Sequence, residues 1–244
     1  MLSVIGGTGL TELDGLSITK EHVVDTPWGR PSAPIVQAEI DGKTVFFLAR
    51  HGNPHRIPPH KVNYRANLWA LRELGVSSVI AVNAVGGIDP KMASTHINIP
   101  DQLIDYSHGR SGTFFEDDLD HVTHIDFSFP YDEPLRLQLI NETALLTTNF
   151  STAGVYGCTQ GPRLETVAEI RRMSQDGCHI VGMTGMPEAA LAREINLAYA
   201  CIALVVNPAA GVCDRVITMD EIEEAVAKGM GVVKQVVRNL VANS

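Results

Sequence analysis

Five apolar runs in this chain end in the same way, on a glycine turn or a polar side chain. Leu2–Ile5 runs into Gly6-Gly7-Thr8-Gly9, and Thr44–Ala49 into Arg50-His51. Val79–Ala84 carries Asn83 near its end and leads into Val85-Gly86-Gly87. His179–Met183 precedes Thr184, and Tyr199–Val206 precedes Asn207. Between these runs the apolar spacing changes to that of helices. Val62 to Leu74 places Val62, Ala66, Trp69 and Ala70 on one face, with Gly75 as its stop. Pro134 to Leu146, Thr166 to Met173 and Pro187 to Asn196 read as further helices, and Thr218 with Glu221 forms a capping box for a last one. Ile35–Ile40 and Thr44–Ala49 flank Asp41-Gly42, a hairpin signal. Ile97–Ile104, interrupted by Pro100, and Thr152–Cys158 read as strands. Strands alternating with helices predict an α/β fold with a mixed central sheet, and the 244 residues show no repeat or linker, so residues 1–244 read as one domain. In open α/β sheets ligands sit off the strand ends, and polar groups at five such ends mark a site.

The individual signals leave alternatives open. A strand running into Gly6-Gly7-Thr8-Gly9 is a cradle for a phosphate-sized anion, or simply a turn. The dinucleotide fingerprint fails because its last glycine position holds Glu12. The Walker pattern fails because no Gly-Lys-Ser/Thr follows. Arg50 offers a planar fork for an oxyanion and His51 a neutral or cationic donor, yet such a pair on a loop also reads as a surface salt-bridge partner. Thr184 can cap the helix that follows it or bind the same anion. Glu165 follows a Gly-Pro turn and reads as a solvated glutamate or as a carboxylate accepting an N–H. Asn207, at the end of an apolar strand and pinned by Pro208, is expected to be buried and so to need partners. A carboxylate and a carboxamide together suit a ring bearing one N–H and one carbonyl, as in a 6-oxopurine.

Composition narrows the function. A net charge of −9 argues against nucleic acid or an anionic membrane as partner, so local donors must hold any anion. The four cysteines Cys158, Cys178, Cys201 and Cys213 form no Cys-x-x-Cys and read as reduced core residues. The chain enters a strand at once, which reads as the absence of a signal peptide and a cytoplasmic location. No apolar run reaches membrane-spanning length. Residues 107–133 carry glycine, histidine and acid with little periodicity. A metal site from His121, His124 and Asp126 is conceivable there; a solvated loop is the simpler reading.

The chain resembles the trimeric branch of the nucleoside phosphorylases, and within it the methylthioadenosine phosphorylases. The motifs that carry the resemblance are Ile5-Gly6-Gly7-Thr8-Gly9, Asp25-Thr26-Pro27-Trp28-Gly29, Arg50-His51-Gly52, Lys61-Val62-Asn63-Tyr64, Gly161-Pro162-Arg163, and Met183-Thr184 with Pro187-Glu188. The resemblance implies a partly barrel-like sheet, a homotrimer with hexamer formation left open, and phosphorolysis, in which inorganic phosphate attacks C1′ of a purine nucleoside. Phosphate is then a co-substrate, and no organic cofactor or metal is implied. By carry-over Thr8, Arg50, His51 and Thr184 bind phosphate with the backbone of Asn83 and Ala84, and Met183 contacts the ribose. Methylthioadenosine phosphorylases usually have threonine where Asn83 stands. The loop holding His124 is expected to reach a neighbouring subunit's site. The chain stops soon after its last helix, short of the extension of longer methylthioadenosine enzymes.

Two departures set the expected specificity. Methylthioadenosine phosphorylases carry Thr-Asp-x-Asp after the last strand, where this chain has Asn207, Pro208 and Ala209, so both carboxylates are missing. After Gly-Pro-Arg the chain reads Leu164-Glu165-Thr166-Val167-Ala168-Glu169, similar to the Phe-Glu-Thr-Val-Ala-Glu of inosine/guanosine phosphorylases. There the glutamate and a strand-end asparagine read the 6-oxopurine edge. Met219 stands where those enzymes place a histidine near the 5′-hydroxyl, and a thioether suits a methylthio group. The resemblance thus implies phosphorolysis of S-methyl-5′-thioinosine, with Asn207, Glu165 and His51 as the residues of the reaction. General inosine/guanosine phosphorolysis, methylthioadenosine phosphorolysis and non-catalytic purine binding are the alternatives.

Overall fold

The computed structural model describes residues 1–7, 10–11, 15–117, 119–214 and 217–243. In chain order its elements are β1 (Leu2–Gly6), β2 (Leu16–His22), β3 (Ile35–Ile40), β4 (Lys43–Ala49), α1 (Tyr64–Glu73), β5 (Ser78–Gly87), β6 (Ile97–Asn98), β7 (Gln102–Asp105), α2 (Glu133–Leu146), β8 (Phe150–Ser151), β9 (Val155–Cys158), α3 (Val167–Gln175), β10 (Ile180–Gly182), α4 (Gly185–Glu194), β11 (Ala198–Pro208) and α5 (Met219–Asn243).

Local chemistry accounts for most of these boundaries. Asp41 and Gly42 both take positive φ, 49° and 76°, the two-residue turn whose twist matches the antiparallel pair β3–β4. Asn63 caps α1 by accepting from the Ala66 N–H at 3.1 Å, and Gly75, at φ 80°, ends it. Thr166 and Glu169 form a reciprocal capping box at the start of α3. The sequence reading missed β2, an edge strand whose five central residues are exposed and whose apolar alternation stops after Ile18. The single strand expected over Ile97–Ile104 is two, β6 and β7, because Pro100 has no N–H to continue a ladder.

Among the described residues one mixed sheet of eleven strands results. Its main path runs β2-β3-β4-β1-β5-β10-β9-β7, and β11 pairs with the other edge of β5. Buried residues of α1 and α4 belong to the core on one face of the sheet; those of α2 and α5 belong to the core on the other. The branching matters at β5. Its first residues pair in parallel with β1, ending at Ile5↔Ala81, and its last pair antiparallel with β10, at Val181↔Gly86. Along this edge Val82–Val85 therefore lie in the split between two departing strands, a topological switch point of the kind that opens a crevice. No helix among the described residues is long and apolar enough to cross a membrane.

Candidate active site

A cavity of about 750 Å³ opens at this split. It gathers sequence candidates from the ends of β4, β10 and β11, from the turn after β9 and from the middle of β5, which runs on to Gly87 and so leaves Asn83 within the strand and not near its end. Arg50, His51, Asn83, Ala84, Glu165, Met183, Thr184, Asn207, Ala209 and Met219 all line it. Thr8 lies outside the described residues, although the neighbouring Gly7 forms part of the wall. Pro208 is not in the wall; it continues β11 opposite Gly87. His124 is exposed and does not line this cavity. His121, His124 and Asp126 do not converge: among the described residues no three His, Cys, Asp or Glu side chains are grouped to hold a metal. The cysteines are all free thiols, three of them buried.

Arg50 is not on the surface. It is 2% exposed, and its guanidinium is docked in a fork-to-fork pair with the fully buried Glu188, Nε to Oε2 and Nη2 to Oε1, both at 2.7 Å. Burial opposes the charge, but the Glu188 carboxylate outweighs it and holds the guanidinium even more firmly protonated than usual. Nη1 also donates to the Val82 carbonyl at 3.2 Å, a group in the β1/β10 split. Tyr199 donates to Glu188 Oε1 at 2.9 Å and completes its partners.

His51 is expected from sequence to donate. Its Nδ1, 2.8 Å from the Ile57 carbonyl, must carry a proton because a carbonyl only accepts. Burial, and next the Arg50 charge, lower its pKa from 6.5 to about 4, so the ring is neutral at pH 7. Nε2 is then a lone pair, fit to accept from a protonated phosphate oxygen.

Thr184 occupies the cap position of α4 but makes no side-chain cap. Its Oγ1 instead accepts from Asn83 Nδ2 at 3.2 Å. Asn83 also donates to Tyr156 Oη at 3.2 Å and accepts from Arg50 Nη2 at 3.2 Å.

On the base side, Asn207 does not end β11 as expected. The strand runs on to Pro208, with a register shift between Val205↔Val85 and Asn207↔Gly86. The extra residue is a bulge, and it turns Asn207 away from the face that Val205 occupies. Asn207 is buried, as expected, and its Nδ2 donates to the Pro208 carbonyl at 2.8 Å. Its second N–H and its Oδ1 remain for a ligand. A Cβ at Gly86 would be in ordinary contact with Nδ2, at 3.4 Å, and would crowd Val181 Cγ1 at 3.1 Å. Glu165 is not free in solvent; Thr159 Oγ1 donates to its Oε1 at 2.6 Å. Met219, Ile217 and Ile222 form an apolar end of the cavity.

Sequence reasoning gave no role to Glu188, Tyr199, Tyr156, Thr159 or Arg110. Arg110 is the sharpest case, because residues 107–133 read as a solvated loop. Its Nη2 binds the Thr159 and Gln160 carbonyls at 3.0 and 2.8 Å, and its Nη1 binds the Met183 carbonyl at 2.9 Å. It thereby staples this loop to two turns of the site. The one available signal was Glu188, an acid next to a proline in a mainly apolar helix.

The family model of the phosphorylase superfamily matches residues 2–242. A probable S-methyl-5′-thioinosine phosphorylase of Pseudomonas syringae pv. tomato is 59% identical over 242 residues, covering 99% of this chain and 98% of that protein. A 6-oxopurine nucleoside phosphorylase of Pyrococcus furiosus is 42% identical over 232 residues, covering 93% and 86%. Among solved structures, a methylthioadenosine phosphorylase from an antarctic soil metagenomic library superposes with a TM-score of 0.92 at 36% identity, covering 99% of this chain and 85% of that one.

Proposed function

The chain belongs to the phosphorylase superfamily, and on that premise we propose that it transfers the pentose of a 6-oxopurine nucleoside to inorganic phosphate, with S-methyl-5′-thioinosine as the substrate. The products are hypoxanthine and 5-methylthioribose 1-phosphate. One observation carries this reading: Glu165, Asn207 and the uncharged Ala209 share a cavity with Arg50, His51 and Thr184.

Phosphate is held beneath C1′ by the second N–H of Arg50 Nη1, the hydroxyl of Thr184 and the His51 lone pair, with Thr8 and the backbone of Asn83 and Ala84 completing the set. Its negative charge stabilises the cationic sugar that forms as the C1′–N9 bond breaks. Negative charge grows on the departing purine, where the free Asn207 N–H donates to N7 or O6. The Glu165 carboxylate accepts N1–H, while Thr159 holds that carboxylate in place. Met183 packs on the ribose and Met219 on the methylthio group. Phosphate is the co-substrate, and no organic cofactor enters the reaction.

We further propose a cytoplasmic homotrimer in which the loop bearing His124 reaches a neighbouring site. The exposed His124 and four free thiols support this reading.

The test is phosphate-dependent release of base from methylthioinosine, inosine, guanosine and methylthioadenosine in parallel. Methylthioinosine is expected to give the highest kcat/KM and methylthioadenosine the lowest. Preference for methylthioadenosine overturns the base-pocket argument. A second reading, a broad 6-oxopurine nucleoside phosphorylase, is favoured by the 64% exposure of Met219, which leaves the 5′ side open. Equal kcat/KM for inosine and methylthioinosine supports that reading instead.

A further inference from the structure

We propose that Asn83 is a positioning residue that sets the direction of the Thr184 hydroxyl and is not itself a phosphate ligand through its side chain. The proposal rests on the phosphate site described above. It follows from counting donors and acceptors along a buried chain of hydrogen bonds that starts at Glu188.

An Arg guanidinium can only donate. Arg50 Nη2 donates one proton to Glu188 Oε1 at 2.7 Å and directs the other at the Asn83 side chain, at 3.2 Å, and more weakly at the Ile5 carbonyl, at 3.4 Å. The atom of Asn83 that faces Arg50 must therefore be its oxygen, and the amide has one allowed orientation. Its nitrogen then faces the other way, where it meets Thr184 Oγ1 and Tyr156 Oη, each at 3.2 Å. Nδ2 carries two protons, and these two acceptors take both. The side chain has no donor left for an anion.

The consequence falls on Thr184. A hydroxyl that accepts from an amide N–H cannot point its own proton back along that bond. The proton is turned away from Asn83. Thr184 does not use its side chain to cap α4, although it stands at the cap position, and it lines the cavity. The hydroxyl proton is thus presented to the phosphate as a donor before phosphate arrives. Polarity passes from Glu188 through Arg50 and Asn83 to Thr184, each link fixed by a group that can only donate or only accept. The four side chains are all buried, at 6% exposure or less, which strengthens the links.

A double-mutant cycle on the full-length enzyme tests this, with KM for phosphate and KM for the nucleoside as readouts. Asn83→Leu, close in shape and without polarity, is expected to raise KM for phosphate about tenfold and to leave KM for the nucleoside unchanged. Thr184→Val is expected to raise KM for phosphate as well. If Asn83 acts through the Thr184 hydroxyl, adding Asn83→Leu to Thr184→Val changes KM for phosphate by less than twofold, whereas adding it to Thr184→Ser restores the large effect. An equal rise from Asn83→Leu with and without Thr184→Val overturns the proposal. So does a rise in KM for the nucleoside to match that for phosphate, since that marks a general loss of structure. Should Asn83→Leu fail to fold, Asn83→Asp keeps the shape, accepts from Thr184 in place of donating, and runs through the same cycle with the same expected coupling. Wild-type enzyme without phosphate-dependent turnover sinks the functional reading and this proposal together; turnover with an additive cycle sinks this proposal alone.

Discussion

Asn207 carries the heaviest prediction at the scale of a single residue. It is buried beside a bulge, with one N–H anchored to the Pro208 carbonyl and the other without a partner among the described residues. A donor aimed at charge that develops only in the transition state lowers the barrier more than it tightens binding. Asn207→Ala is therefore expected to lose on the order of 10²–10³-fold in kcat with a much smaller change in KM, by steady-state kinetics. Unchanged kcat would end that assignment. His51 makes a second, opposite kind of prediction. Its pKa is about 4 in the folded chain against 6.5 when exposed, so the unfolded state binds the proton first. Stability is thus lost as pH falls from about 6.5 to about 4, with no further loss from this group below that. His51→Gln removes this contribution. The melting-temperature advantage of wild type over the variant should shrink across that window and stay level above pH 7. A constant gap across the window contradicts a neutral, half-buried imidazole.

At the scale of elements, the site depends on close packing of β10 against β9. Gly182 closes β10 directly over the Tyr156 ring, and a Cβ there overlaps both Oη and Cζ, the latter at 2.6 Å. A rigid phenol cannot swing aside as a lysine would, and Tyr156 is fully buried. Gly182→Ala is expected to cost about 1–3 kcal/mol in urea unfolding, the usual penalty for overpacking. It should also weaken phosphate binding, because Tyr156 accepts from Asn83 and from the Thr184 backbone N–H. The seating of α4 on the sheet depends on a different contact. Glu188, in the first turn of α4, reaches Arg50 just past the end of β4, 138 residues away in the chain. Removing one partner of such a pair leaves a buried charge alone. Glu188→Ala is accordingly expected to destabilise by about 3–5 kcal/mol, measured by chemical denaturation. A loss below about 1 kcal/mol would mean that solvent reaches Arg50.

At the scale of the whole molecule, the base pocket and the assembly are separable questions. Asn207→Asp with Ala209→Asp restores the paired carboxylates of the aminopurine enzymes. The double variant is expected to shift kcat/KM from methylthioinosine toward methylthioadenosine, and a variant that still ignores methylthioadenosine shows that discrimination lies elsewhere in the cavity. Ala209 stands among Ile88, Ile170, Met173, Cys178 and Val181, so an aspartate there also meets an apolar wall. The assembly is tested by sedimentation: a homotrimer runs at three times the 26.4 kDa chain mass.

The order of strands and helices was legible because it depends on neighbours in the chain: apolar periodicity, Asp41-Gly42, the capping pair Thr218 and Glu221, and the stop at Gly75. The polar groups expected at strand ends were legible for the same reason, and most of them meet in one cavity, although Asn83 lies within β5 and β11 runs past Asn207. Their chemistry was not. Whether Arg50 meets solvent, phosphate or a carboxylate is decided by Glu188, 138 positions on, and no local pattern encodes that distance. The protonation of His51 depends on its burial and on Arg50 and the Ile57 carbonyl, and the facing of Asn207 depends on one extra residue in a ladder with β5. Local sequence determines which groups are available and on which elements they ride. Which of them donate, which accept and which are charged was decided only when the sheet branched at β5 and closed those groups away from water.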